Sequence, residues 1–140
     1  QTSGLLWPVL MQSRHKGDTT MSYWGYHLVL DCSDCDLAAI TNPDHIREFS
    51  RTLVEEIAMV AYGDPQIIHF GHNEPHLTGW TLIQLIETSN IVAHFCDESG
   101  EGYVDIFSCK QYNEDVAIDV VQRFFKPRKV RKTFLTRQAD

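Results

Sequence analysis

Three side chains in one stretch of the sequence have the chemistry for a covalent reaction on a small molecule. Ser89 supplies a hydroxyl, His94 supplies an imidazole five residues later, and Cys109 supplies a thiol twenty residues after the serine. A nucleophile, a base and a proton donor are the groups that such a reaction needs. The segment that carries them, residues 82–109, is predicted to form strands separated by tight turns, which is a regular scaffold for positioning reactive groups.

The order of predicted strands and helices indicates an α+β fold. Apolar side chains alternate in a strand over residues 24–31, and further strands are predicted at 66–70, 79–87, 90–96, 102–109 and 130–135. Apolar residues at helical spacing predict one helix from the N-cap Asn42 to about Tyr62 and a second over residues 113–125. This order predicts a two-layer sandwich, a mostly antiparallel sheet with two helices packed on it.

Several predicted strands carry apolar side chains on both faces, for example over residues 82–86. Two helices do not cover both faces of a sheet, so this pattern predicts a second subunit. The strands before and after Thr88-Ser89 are expected to form a hairpin that turns at this dipeptide.

Length and charge limit the classes of protein to consider. We expect residues 21–140 to form a single domain that starts naturally at Met21, with residues 1–20 as an N-terminal tail. The formal net charge of −7 argues against nucleic acid as a partner, because binding to nucleic acid demands basic patches. No apolar run approaches the roughly 20 residues of a membrane span. We identify no signal peptide, so the four cysteines are expected to stay reduced in a cytoplasmic protein.

A second set of residues has the composition of a zinc site. Cys32 and Cys35 form a CxxC pair, and a later loop contributes His69, His72 and His76. Two cysteines with two histidines fit tetrahedral zinc. The CxxC pair is single, however, and its turn follows a strand instead of opening a helix, so we predict a polar turn and no metal. A small zinc-binding protein remains the third hypothesis.

Three segments have a more specific pattern. Residues 24–31 (WGYHLVLD) are followed by Cys35-Asp36 and the long helix, residues 102–109 read GYVDIFSC, and residues 126–130 read KPRKV. The second segment resembles the motif G-Y-x-x-V-D-x-F-x-C, shortened by two residues at its front. Together these segments resemble the short prokaryotic S-adenosylmethionine decarboxylases, and the likeness extends over residues 24–137.

The resemblance implies an enzyme that processes itself. In this family the peptide bond before a serine shifts to the side-chain oxygen, and the serine becomes a pyruvoyl group, an electrophilic carbonyl that serves as an electron sink as CO2 leaves the substrate. By resemblance, Ser89 is the pyruvoyl precursor, His94 assists processing and Cys109 donates a proton to the decarboxylated carbon. Thr81, eight residues before Ser89, matches a hydroxyl that assists processing, and Thr78 is its rival.

The resemblance further implies S-adenosylmethionine, or another basic amino acid, as substrate, spermidine biosynthesis as the role, and a homodimer with composite sites. Phe95, Glu98 and Tyr103 are the candidate substrate-binding residues, since aromatic rings and a carboxylate attract a cation. The family's Glu-Ser-His is Thr88-Ser89-Asn90 here, and its His-Thr-Trp-Pro-Glu is HFCDE at residues 94–98. These departures favour an alternative: a non-processing homologue that binds a nucleoside-like or amine ligand or regulates a true decarboxylase.

Overall fold

A computed structural model of the protein describes residues 22–140, and these residues form one six-stranded sheet and three helices. The elements in chain order are β1 (Gly25–Ser33), α1 (Leu37–Ile40), α2 (Pro43–Glu56), β2 (Gln66–Phe70), β3 (Gly79–Ile86), β4 (Ser89–Phe95), β5 (Gly102–Ser108), α3 (Glu114–Phe125) and β6 (Lys129–Arg137). The predicted N-terminal tail, residues 1–20, and the predicted start at Met21 lie outside the described residues.

The sheet is antiparallel throughout, in agreement with the predicted fold class. Its strand order is β2-β3-β4-β5-β1-β6. The strands β2 to β5 follow one another in sequence and in space, whereas β1 inserts between β5 and β6 and pairs with both. The first strand of the chain therefore lies inside the sheet, between two strands from the C-terminal part of the chain.

Asparagine caps begin both long helices. Asn42 Oδ1 accepts hydrogen bonds from the backbone N–H groups of Asp44 and His45 at 3.0 and 3.2 Å. Pro43 occupies the first turn of α2, where a backbone N–H would have no acceptor within the helix, so proline removes no hydrogen bond there. Asn113 caps α3 in the same way. The predicted starts of both helices are confirmed.

The first long helix ends earlier than its apolar spacing predicts. α2 stops at Glu56, and Ala58 takes a left-handed backbone with φ of 59°. The chain then runs beside the β3–β4 hairpin, where Ala61 forms a bridge to Ile86. This pairing replaces the last predicted helical turn, and it is a tertiary interaction that sequence periodicity does not report.

Two other local details differ from the predictions. β1 continues through Ser33, so the predicted polar turn after it is shorter, and the turn leads into α1, a third helix where two were predicted. In α1, Asp36 Oδ1 accepts the Ala38 N–H at 3.1 Å. The β3–β4 turn falls at Glu87-Thr88 instead of Thr88-Ser89, because Ile86 pairs with Ser89 in the register of the two strands. Ser89 is therefore the first residue of β4.

The helices α2 and α3 pack on one face of the sheet and enclose the core. The Phe125 ring on α3 lies 4.7 Å from Phe49 on α2 and 4.5 Å from Phe95 on β4, between ring centroids, and all three side chains are buried. This one-sided packing is the two-layer sandwich that the sequence predicts. Within residues 22–140, none of the helices has the length and apolar character needed to cross a membrane.

The second face of the sheet has no covering layer within residues 22–140. The strand register places Thr81, His94 and Tyr103 side by side on this face. Ile83 and Leu85 lie in line with Thr81 on β3 and are 39% and 49% exposed. Exposed apolar side chains on an open sheet face are typical of a protein–protein interface.

We predict that Phe125→Ala lowers the free energy of unfolding by about 3–5 kcal/mol, because it removes a buried ring that contacts both layers. Urea unfolding measures the change. Tyr62→Ala is the matched control: Tyr62 is 67% exposed, and its replacement should cost less than about 1 kcal/mol. Equal losses in the two variants would contradict the described core.

Candidate active site

The predicted catalytic residues fall into two groups at opposite ends of β4. Ser89 opens the strand, and His94 is its sixth residue. Five residues of extended strand span about 17 Å. The structure therefore does not bring Ser89 and His94 of one chain together.

The first group, here called the serine end, consists of Thr88, Ser89, Ser108 and Cys109. Ser89 faces Ser108 across the β4–β5 pair. The Cys109 N–H donates a hydrogen bond to the Thr88 carbonyl oxygen at 3.0 Å, and the Cys109 side chain is exposed. The structure thus places the predicted nucleophile at the start of β4 and the predicted proton donor directly after the end of the neighbouring β5.

The backbone at Ser89 has an unusual conformation. Its φ is 154°, a region that side-chain-bearing residues rarely adopt and that costs of order 1–3 kcal/mol. This torsion lies directly beside the Thr88–Ser89 peptide bond. Asn90 Nδ2 donates a hydrogen bond to Ser89 Oγ at 3.2 Å. Strain of this kind persists only where the surrounding structure holds it, and it clusters at functional sites.

The second group, here called the imidazole end, consists of Leu77, Thr81 and His94. His94 Nε2 lies 2.9 Å from the Leu77 carbonyl oxygen, and His94 Nδ1 lies 2.6 Å from Thr81 Oγ1. A carbonyl only accepts, so Nε2 carries a proton and donates to Leu77, while Nδ1 faces the Thr81 hydroxyl.

The rival hydroxyl, Thr78, does not contact His94. Thr78 Oγ1 donates to the Gly71 carbonyl at 2.7 Å, within the loop between β2 and β3. Of the two threonines that the sequence offers, Thr81 is the one paired with the imidazole.

The three predicted substrate-binding residues occupy different surroundings. Phe95 is 1% exposed and packs against Phe125 in the core, which leaves no part of its ring for a ligand to contact. Tyr103 lies on the open face opposite His94 and is 40% exposed. Its hydroxyl donates to Glu101 at 2.7 Å, and this hydrogen bond raises the pKa of Tyr103 to about 12. Glu98 is exposed in the turn after β4.

The residues of the zinc hypothesis do not form one site. Within residues 22–140, no group of three or more His, Cys, Asp or Glu side chains could hold a metal ion. His69 Nε2 instead pairs with Asp97 at 2.6 Å. Cys32 and Cys35 are buried free thiols that hydrogen-bond each other, which raises the pKa of Cys32 and lowers that of Cys35.

Sequence reasoning missed the buried hydroxyl beneath the serine end. Ser108 is fully buried, and its Oγ donates to Thr88 Oγ1 at 2.8 Å. A signal was present: Ser108 takes the inward position after Val104 and Ile106, where the alternation of β5 calls for an apolar residue. A polar residue at such a position needs a hydrogen-bond partner.

Comparisons with known proteins agree on one family. The profile of the S-adenosylmethionine decarboxylase family matches residues 26–138. The chain is 30% identical over 91 residues to a protein of Clostridium botulinum (strain Loch Maree) named S-adenosylmethionine decarboxylase proenzyme, which covers 65% of this chain and 73% of that protein. A Thermococcus kodakarensis protein of the same name is 27% identical over 103 residues, 73% of this chain and 68% of that protein.

A solved structure shares the fold. The adenosylmethionine decarboxylase from Aquifex aeolicus superimposes with a TM-score of 0.70, at 21% identity, over 85% of this chain and 94% of that one. At this identity the likeness concerns the fold alone. The family profile reaches from the second residue of β1 to the residue after β6, so it includes every helix and strand that positions the two ends of β4. The chain therefore belongs to the S-adenosylmethionine decarboxylase family, whose members are carboxy-lyases.

Proposed function

We propose that the protein is a self-processing, pyruvoyl-dependent decarboxylase of S-adenosylmethionine that acts in the cytoplasm as a homodimer and serves polyamine biosynthesis. The observation that carries the proposal is the Thr88 carbonyl, which accepts the Cys109 N–H at 3.0 Å beside the strained backbone of Ser89. A carbonyl polarised by a fixed N–H donor and followed by a hydroxyl residue is suited to an acyl shift. Membership of the family supports the same chemistry.

In the proposed shift, Ser89 Oγ attacks the Thr88 carbonyl carbon, the bond from that carbon to the Ser89 nitrogen breaks, and the hydroxyl proton moves to the nitrogen. The Cys109 N–H stabilises the negative charge that develops on the Thr88 oxygen. Elimination then releases Thr88 as a carboxylate and leaves a dehydroalanine at position 89. One water converts the dehydroalanine to a pyruvoyl group and ammonia, so the atoms balance.

The residues around position 89 fit a pyruvoyl group. Ser89 and Asn90 are partly exposed at the start of β4, and the Asn90 amide that donates to Ser89 Oγ can equally donate to a carbonyl oxygen. Once formed, the pyruvoyl group supplies an electrophilic carbonyl and an electron sink for decarboxylation. The exposed thiol of Cys109, directly after the neighbouring strand β5, is the proposed proton source for the product carbon.

Loss of the Ser89 proton requires a base, and the separation of about 17 Å along β4 keeps His94 of the same chain out of reach. In a two-fold dimer that joins opposite strand ends, the imidazole end of one subunit would meet the serine end of the other, twice per dimer. Ser89 pairs with the inward Ser108, so the imidazole would have to reach its hydroxyl around the start of β4. The same contact would bury the exposed Ile83 and Leu85. The Leu77 carbonyl holds the Nε2 proton of His94, which leaves Nδ1, beside the Thr81 hydroxyl, as the nitrogen that would accept the proton.

The substrate is proposed to lie on the open face near the imidazole end. Tyr103 offers a half-exposed ring beside His94 for a sulfonium or adenine, and Glu98 offers a carboxylate for a cationic group. The alternative substrate is another basic amino acid, such as arginine, in place of S-adenosylmethionine. Release of CO2 from carboxyl-labelled S-adenosylmethionine, compared with carboxyl-labelled arginine, distinguishes the two.

One observation favours the alternative of a non-processing homologue. Asn90 occupies the position after Ser89, and its amide donates to Ser89 Oγ without being able to remove the hydroxyl proton. On this alternative the chain stays intact and binds S-adenosylmethionine or an amine without turnover. Calorimetry with S-adenosylmethionine on an intact chain detects such binding.

We predict that freshly made protein cleaves between Thr88 and Ser89 into two pieces, and that the piece starting at position 89 is lighter by one ammonia than a serine-terminated fragment. Intact-mass spectrometry over time measures both. Ser89→Ala should stay whole, because it lacks the attacking oxygen, while the control Ser99→Ala, in the exposed turn after β4, should cleave normally. A wild-type chain that keeps its full mass and releases no CO2 from S-adenosylmethionine would contradict the proposed function.

We further predict that Ser89→Ala and His94→Ala chains complement each other in a mixed dimer. The Ser89→Ala chain alone should not cleave, because it lacks the attacking oxygen. The His94→Ala chain alone should cleave about 100- to 10,000-fold more slowly than the wild type, because it lacks the base. A dimer purified through two different tags contains one complete site, so its His94→Ala chains should cleave and its Ser89→Ala chains should not. If the wild type cleaves but the mixed dimer does not, His94 would act on Ser89 of its own chain, and the composite site would be wrong.

A further inference from the structure

We propose that the side chains of Thr88 and Ser108 form a positioning pair that sets the rate of self-processing by fixing the carbonyl to be attacked. The inference rests on the proposed function and assigns a role to two hydroxyls that the mechanism above does not use. Neither residue touches the substrate; each acts by holding the Thr88 backbone in place.

The pair belongs to a short directional chain of hydrogen bonds. The Lys110 N–H donates to Ser108 Oγ at 3.0 Å, Ser108 Oγ donates to Thr88 Oγ1 at 2.8 Å, and Thr88 Oγ1 donates to the Met59 sulfur at 3.3 Å. Ser108 Oγ also lies 3.8 Å from the Met59 sulfur, but its single proton is better placed on the nearer oxygen. Every hydroxyl in the chain therefore both accepts and donates.

The end of β5 holds Thr88 at two points. Ser108 binds its side chain, and the next residue, Cys109, binds its carbonyl oxygen at 3.0 Å. Two bonds from consecutive residues, the last residue of β5 and the one after it, restrict rotation of the Thr88 carbonyl about the chain. Since attack by Ser89 Oγ requires that carbonyl in one orientation, a misplacement of about 1 Å can cost about 100-fold in rate.

The same contacts distinguish two neighbouring hydroxyls. Thr88 Oγ1 accepts from Ser108, which is fully buried, and donates to Met59, whose thioether is too weak a base to take the proton. Ser89 Oγ accepts from Asn90, and its own proton is donated to no group within the described residues. Only the second hydroxyl is free to lose its proton to a base, so the hydrogen bonds direct the shift to the Thr88–Ser89 bond.

The test compares cleavage rates after cell-free synthesis, followed by mass spectrometry. Thr88→Val keeps the shape of the side chain and removes its hydroxyl, and Ser108→Ala removes the other partner; each should slow cleavage about 100-fold. Thr88→Ser restores the hydroxyl and should cleave within about threefold of the wild type. The double variant Thr88→Val with Ser108→Ala should be no slower than either single variant, because both remove one shared bond.

Ser50→Ala is the control for a purely structural effect. Ser50 is also fully buried, and it donates one side-chain hydrogen bond, to Gln84 at 3.2 Å, away from the serine end. Melting temperatures are measured in an uncleavable Ser89→Ala background. Ser50→Ala and Ser108→Ala should lower the melting temperature similarly, and only Ser108→Ala should slow cleavage.

The outcomes separate the two proposals. A wild-type chain that never cleaves overturns the proposed function. A wild type that cleaves, with Thr88→Val and Ser108→Ala cleaving at the same rate, overturns the positioning pair alone. If Thr88→Val fails to fold, Ser108→Ala decides: a slowing matched by Ser50→Ala overturns the pair, and a slowing confined to Ser108→Ala supports it.

Discussion

The extended backbone of β4 is the constraint on which the arrangement of this protein depends. Hydrogen bonds to β3 and β5 hold the strand straight and fix what each end meets: Thr81 lies opposite His94, and Ser108 lies opposite Ser89. A helix or a loop could fold a residue back onto one five positions away, whereas a strand keeps the two about 17 Å apart. In the proposed enzyme the reactive groups thus form two half-sites in each chain, which the proposed two-fold dimer would complete.

Much of this architecture was readable from the sequence, and the misses have a common cause. Alternation and capping residues identified all six strands and the starts of both long helices, because these signals are local. The end of α2 and the turn at Glu87-Thr88 were misjudged, because both depend on pairing between residues 60–62 and the β3–β4 hairpin. Spacing along the chain identified Ser89, His94 and Cys109 as a set but could not reveal that β4 separates the first two.

Two features of the serine end lower the stability of the fold while they fix the backbone around Thr88 and Ser89. A buried serine at an inward position of β5 and an unfavourable φ at Ser89 each cost free energy that an apolar residue or a relaxed turn would not. Hydrogen bonds among Ser108, Thr88 and Met59 offset part of the cost by satisfying the hydroxyls. The serine end combines both departures at adjacent strand ends, whereas the buried pair Ser50 and Gln84 lies elsewhere in the core.

The strand order determines whether the two pieces of a chain cleaved between Thr88 and Ser89 would stay together. The N-terminal piece would hold β1, β2 and β3, and the C-terminal piece β4, β5 and β6, yet β1 is threaded between β5 and β6. The two pieces would thus remain paired along three ladders, β3 with β4, β1 with β5 and β1 with β6. Cleavage between Thr88 and Ser89 would therefore open the β3–β4 turn and leave every strand pairing of the sheet in place.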